Sequence, residues 1–312
     1  MTAFDREALY NKSKVFVDRA LKARDDSDAM EFHLWSALAL EVLGKATLSS
    51  IHPSLVADPN HFKSLLAACG ITKTTSLRSV AAKTTFERLT TVVPEFDEKS
   101  SRECMLMVNR RNAELHSGES PVAGLDARSW VPLFWRAASI LIAAQGRTLE
   151  DWLGTSEAER VAEILRDSAE TLRQTVLGRI ERRRAAFAAS CPPESMELRD
   201  AEQRARVRPA PSTWDGEAYE PDICPACGLD VWVLGHEEER DVIDEGFEGA
   251  EENGYYGYFL TVRVTYRVES FHCPECGLEL EGREELDVTD LATVFERDED
   301  EEPDYEPDYG ND

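Results

Sequence analysis

Two copies of one short turn, Cys224-Pro-Ala-Cys227-Gly and Cys273-Pro-Glu-Cys276-Gly, constrain this chain more than any other feature in it. Each turn presents two sulfurs to a common point, and the glycine that follows permits a backbone turn closed to other residues. Together the turns offer four thiolates, the set that a closed tetrahedral zinc site needs. With cysteine filling all four positions, no open position remains for catalysis, so Zn2+ is expected as a structural ion, one per chain. Iron held by the same four sulfurs is the alternative. His272 adjoins Cys273 and reads as a bystander.

The paired turns resemble those of a zinc ribbon. Just before the second turn, Leu260, Val262, Val264, Tyr266 and Val268 alternate with Thr261, Arg263, Thr265 and Arg267, a period of two that predicts the ribbon's hairpin. The interval between the turns, residues 228–272, is long for a ribbon. It includes an acidic stretch, 237–252, with nine acids and one arginine, which is expected to project as a loop.

Ahead of this region the pattern is helical from residue 4 to about 189. Leu34, Leu38, Val42 and Ala46 recur every four residues, with Ser27 and Asp28 placed to cap that helix. Further helices are predicted around Leu65, ending at Gly70, and around Phe86, ending before Pro94. Another spans Cys104 to Leu115, and one follows with Ser129 as cap and Pro132 in its first turn. A last, long helix starts near Ser156, with Val161, Leu165, Leu172, Val176 and Ile180 on one stripe. It ends in the basic run Arg179-Ile-Glu-Arg-Arg-Arg184, either a solvated face or a phosphate contact. The predicted architecture is mainly α: a helical domain over 1–190, a proline-bearing linker over 191–221, a small β-rich ribbon domain over 222–295, and a disordered acidic tail over 296–312.

Charge divides along the same line. The net charge of −26 is the sum of +1 over residues 1–190 and −27 over residues 191–312. Phosphate backbones should repel the C-terminal part, while the N-terminal part is free to approach them. The first residues carry neither a basic n-region nor an apolar h-region, so no signal peptide is expected. The longest apolar run, 137–144, is far short of the roughly 20 residues that a membrane span needs. Cys-x-x-Cys pairs in such a chain read as metal ligands in a reducing compartment, so a cytoplasmic protein without a membrane partner is expected. Cys69 and Cys104 read as small core residues, and Cys191 belongs to the linker.

Within the Cys104–Leu115 helix lies Arg111-Asn112-Ala-Glu-Leu-His116. The motif resembles the signature of the HEPN superfamily: an arginine, a polar residue next to it, and a histidine after four to six intervening residues. Its helical setting agrees, and the helix through His33, Glu41 and Lys45 looks like the one that packs beside it in that family. The resemblance covers roughly residues 5–150.

The chemistry of those residues is coherent. Cleaving RNA through its own 2′-hydroxyl needs a base on that hydroxyl, an acid at the departing 5′-oxygen and a cation on the phosphorane. His116 suits the proton transfers, because histidine titrates within the physiological range. Arg111 can hold two phosphate oxygens in a planar fork. Asn112 stands four residues before His116, on one helix face, where its amide can orient the imidazole. Glu41 and Arg110 are candidate supports, Glu41 by pairing with Arg111. One chain supplies one such histidine, so the resemblance implies a homodimer that brings two motifs together. It also implies a metal-independent endoribonuclease with an RNA substrate, 2′,3′-cyclic phosphate products, and a place in toxin–antitoxin or antiviral defence, with an antitoxin or defence-system protein as partner. Gly118 stands where many toxin-type members carry a tyrosine that a partner enzyme adenylylates, so that control is not expected here. His33, His52 and His61 have no catalytic spacing around them. The alternative is a non-catalytic adaptor whose bundle dimerises and whose ribbon binds a protein partner.

Overall fold

Aspartates start three of the principal helices by turning a side-chain oxygen onto an otherwise unpaired backbone N–H. Asp5 accepts from Ala8 ahead of α1 (Arg6–Asp25), and Asp28 accepts from Glu31 ahead of α2 (Ala29–Ile51), at 3.0 and 2.9 Å. After α3 (Phe62–Ala68) and α4 (Ala82–Val92), Asp97 does the same for α5 (Glu98–His116), at 2.7 Å from Ser100. Ser129 does not cap α6 (Val131–Ala143). It lies in a preceding 3-10 turn, where its hydroxyl donates to the Asp126 carbonyl, and Trp130 takes the cap position. Two further helices, α7 (Leu149–Leu153) and α8 (Thr155–Ser190), complete the helical part. This computed structural model describes residues 4–72, 76–190, 216–249 and 256–301.

The chain divides into two compact units, Met1–Ala169 and Glu170–Asp312. In the first, α2 is the central helix, packed against α1, α4, α5 and α6. Ala37, Leu40 and Leu43 are fully buried, and so is Ala46 of the predicted stripe, while its Leu34, Leu38 and Val42 are only half-buried. A helix enclosed from several directions needs no single apolar face, so the four-residue period caught only part of the buried surface. Gly44 sets the closeness of α4: a Cβ there would lie 3.1 Å from a Leu89 methyl and 3.2 Å from one of Thr85. Phe86, Phe96, Phe134, Trp135 and Trp152 fill the remaining core, each contributing about 1.5–3 kcal/mol by burial. Polar ties cross it where a partner exists, as from the Thr47 hydroxyl to the Leu141 carbonyl (3.1 Å) and from the Trp152 indole to Ser13 (3.0 Å).

The stripe along α8 serves two cores. Val161 packs with the helices of the first unit, while Leu172, Val176, Ile180 and Phe187 pack in the second. The helical domain expected to run to 190 therefore gives up its last turns, and the division falls between 169 and 170. The second unit continues with β1 (Glu217–Ile223), β2 (Asp230–Gly249), β3 (Tyr256–Val268), β4 (Ser270–His272), β5 (Glu279–Glu281), the short α9 (Arg283–Leu286) and β6 (Val294–Glu301). One antiparallel sheet has the order β1-β2-β3-β6, and β4-β5 form a separate hairpin. The alternation read over 256–268 is thus a true strand, but it belongs to the larger sheet. The hairpin that carries the second cysteine turn is β4-β5. The larger sheet curls, because Arg297 on one edge strand donates to the Tyr219 carbonyl and pairs with Glu220 on the other. Inside the curl the Tyr266 and Phe295 rings stack 5.3 Å apart. They require Gly235 beneath them, where an added Cβ would stand 2.7 Å from Phe295 and 2.8 Å from Tyr266.

Three expectations for this part are corrected. The acidic stretch is strand rather than loop as far as Gly249, paired through to Gly249↔Tyr256. Its charge is tolerated because cations neighbour it: Arg267 bonds Glu238, Arg240 bonds Glu237 at 2.7 Å, and Arg263 faces Asp241 in the register. The linker ends earlier than 221, since β1 begins at Glu217 and buries Ala218; residues 191–215 lie outside the described residues. The acidic tail begins later than 296, since residues through 301 pair with β3. Along that strand Asp298 meets Arg263 at 2.8 Å, Glu299 accepts from the Tyr266 hydroxyl at 2.6 Å, and Asp300 accepts from Thr261 at 3.0 Å. The tail reading over 302–312 lies outside the described residues. No helix among the described residues is long and apolar enough to cross a membrane.

Candidate functional site

The two cysteine turns fold alike. In the first, Gly228 N–H donates to the Cys224 carbonyl and Cys224 N–H to the Leu229 carbonyl, both at 2.9 Å. In the second, Gly277 and Cys273 make the same pair of bonds with Cys273 and Leu278, again at 2.9 Å. Both glycines sit at positive φ, 73° and 66°, as such a turn demands. The result gathers Cys224, Cys227, Cys273 and Cys276, with all four sulfurs within 4.8 Å of one another. The Cys224–Cys276 and Cys227–Cys273 separations are both 3.7 Å. A tetrahedron with arms of about 2.3 Å has edges of about 3.8 Å, so the set fits a tetrathiolate metal ion. Hydrogen bonding among the thiols splits them, pulling Cys224 down and pushing Cys227 up. His272 stays outside, exposed, with Nδ1 3.4 Å from a Glu279 oxygen.

The second site lies in the helical unit. Arg111 on α5 donates from Nη1 to Glu41 Oε2 on α2 at 2.7 Å, so Glu41 pairs with Arg111 as its candidate supporting role required. Its Nε and Nη2 both donate to Asn112 Oδ1, at 3.2 and 2.9 Å. The Asn112 oxygen is therefore engaged by its neighbour, and no hydrogen bond joins Asn112 to the imidazole. His116 is exposed in the last turn of α5, where a cation suits the helix dipole. The structure thus joins Arg111, Asn112 and Glu41. It joins neither His116 nor Arg110 to them by a hydrogen bond or ion pair.

One participant was not anticipated. Lys45 Nζ donates to the other Glu41 oxygen at 2.8 Å and reaches Ser79 Oγ at 3.2 Å. Burial alone would raise the Glu41 carboxyl, but the Lys45 and Arg111 cations outweigh it and hold it below the usual carboxylate range. The Glu-to-Lys spacing of four on one helix was the available signal. The other histidines are structural. His52 and His61 bond the hydroxyls of Ser54 and Ser64, each at 2.7 Å, where short helices begin. His33 is fully buried with neither ring nitrogen hydrogen-bonded, edge-on to Trp130 at 4.9 Å between centroids. Burial first, and the charge of Arg110 second, push it down to about 4.

No family model matches this chain, and no curated protein or solved structure shows significant similarity to it.

Proposed function

We propose that this protein is a metal-independent endoribonuclease of HEPN type, acting as a homodimer, with the tetrathiolate site holding one structural Zn2+ per chain. The observation that carries the reading is the Arg111 pair with Glu41: a guanidinium held by a neighbouring helix, one turn ahead of an exposed histidine. In this reading Arg111 binds the scissile phosphate with the N–H groups that Glu41 and Asn112 leave open. His116 moves the protons, as base on the 2′-hydroxyl or acid at the 5′-oxygen. Two copies supply both roles, and Leu106 and Leu115, each about half exposed on α5, offer apolar surface for the second copy. Among the described residues the set with metal-ligand geometry is the four cysteines, in the other unit. A role in toxin–antitoxin or antiviral defence, in the cytoplasm, belongs to the same proposal.

The test is cleavage of RNA by the purified full chain without added divalent metal. Products ending in 2′,3′-cyclic phosphate are expected, with activity lowered about 10²–10⁴-fold in His116→Ala and in Arg111→Ala while the helical signal is retained. Wild-type cleavage in either variant refutes the assignment. One feature favours the adaptor reading instead: among the described residues no hydrogen bond or ion pair orients His116. A folded dimer that cuts no RNA is the outcome that reading requires.

A further inference from the structure

The basic run that ends α8 is exposed, as a solvated face is, but the guanidinium groups of Arg183 and Arg184 also reach the two cysteine turns. Arg184 Nη2 donates to the Pro225 carbonyl at 2.9 Å, and its Nε approaches the Ala226 carbonyl at 3.4 Å. Those carbonyls lie between the two ligands of the first turn, in the stretch Cys224-Pro-Ala-Cys227. On the second turn Arg183 covers Gly277, where an added Cβ would lie 3.4 Å from its Nη1. One turn earlier, Arg179 donates to the Glu279 carbonyl at 2.8 Å and forks onto Glu285, at 2.6 and 3.2 Å. The same helix packs Val176, Ile180 and Phe187 into the core that contains Cys224, Cys227 and Cys273.

We propose that Arg184 is a positioning residue for the metal ligand Cys224, and that docking of α8 residues 170–190 and loading of the metal are one event. Four thiolates around a divalent ion carry two net negative charges, in a place that apolar side chains shield from water. A cation fixed beside the turn lowers that cost by offsetting the negative charge, and its bonds to the turn's carbonyls hold the ligand in place. Arg184 supplies that cation to two peptide groups at once. Arg183 brings a second cation to the other turn. The relation is mutual: with the turns unformed, α8 loses both the carbonyls that engage its arginines and the apolar surface that covers Val176 and Ile180. The inference does not depend on the ribonuclease reading and is tested without it.

Two measurements on the full chain decide it. The first is zinc affinity by chelator competition, with Arg184→Met, which keeps the apolar stem, compared with Arg182→Met, another exposed arginine of the same run. Loss of partners around a metal ligand typically costs 10–100-fold in affinity. A fall of that size is expected for Arg184→Met and no change for Arg182→Met. Wild-type affinity in Arg184→Met overturns the positioning role. The second is amide exchange of the wild type before and after zinc is stripped, which needs no variant to fold. Residues 170–190 should lose protection together with 224–229 and 273–278, while α8 residues 158–168 keep theirs. Protection of 170–190 that survives complete zinc removal overturns the coupling.

Discussion

His33 makes the helical unit sensitive to acid in a way that can be worked out in advance. The ring is neutral in the fold, with its pKa pushed from 6.5 down to about 4 by burial and by Arg110. In the unfolded chain it titrates near its ordinary value. Between the two values the unfolded state binds the extra proton, so stability is present above about pH 6.5 and is lost as pH falls toward 4. The full effect of such a shift is about 3 kcal/mol, and about 2 kcal/mol of it should be gone by pH 5. Acid carboxylates act mainly lower down, since the depressed Glu41 contributes stability that is lost only as pH falls through its folded pKa. The assay is urea unfolding from pH 7.5 to 4.5, read by tryptophan fluorescence, which Trp130 against the His33 ring should report. His33→Leu removes the titrating group, and its stability should fall about 2 kcal/mol less than the wild type between pH 7.5 and 5. Parallel pH profiles for the two proteins refute the reasoning.

Two other substitutions test the packing. Glu41→Gln leaves the largely buried Arg111 and Lys45 without their shared anion; it should cost about 2 kcal/mol, between an exposed and a buried pair, seen as a lower urea midpoint for the helical unit. Gly235→Ala forces a methyl group against Phe295 and Tyr266, and should cost about 1–3 kcal/mol in thermal melting of the β unit, with the helical unit unaffected. An unchanged midpoint in either case shows that the site is looser than described.

Local signals were readable where the chemistry is local. The four cysteines announce themselves because each turn is built from five consecutive residues, and the structure brings all four sulfurs together. Helix ends at Asp28, Gly70 and Pro94 were legible for the same reason, as caps and breakers act within one turn. The acidic strands were missed because composition was read without partners. A run of carboxylates looks disordered by itself, yet it becomes strand when Arg263 and Tyr266 stand across the sheet from it. Cross-strand neighbours are distant in sequence, and nothing in the run names them.

The same distinction separates the two sites. Sequence alone determined which four cysteines cluster with metal-ligand geometry, the largely helical character of the first unit, and the Arg-Asn-x-x-x-His spacing on one helix. Only the tertiary structure decided that Glu41 is shared between Arg111 and Lys45, that Asn112 turns to Arg111 rather than His116, and that α8 is divided between two cores. The basic run shows why. Its spacing is that of any exposed helix face, and an arginine finds its partner by reach through space: Pro225 and Ala226 lie some forty residues from Arg184 along the chain, and folding brings them within a hydrogen bond.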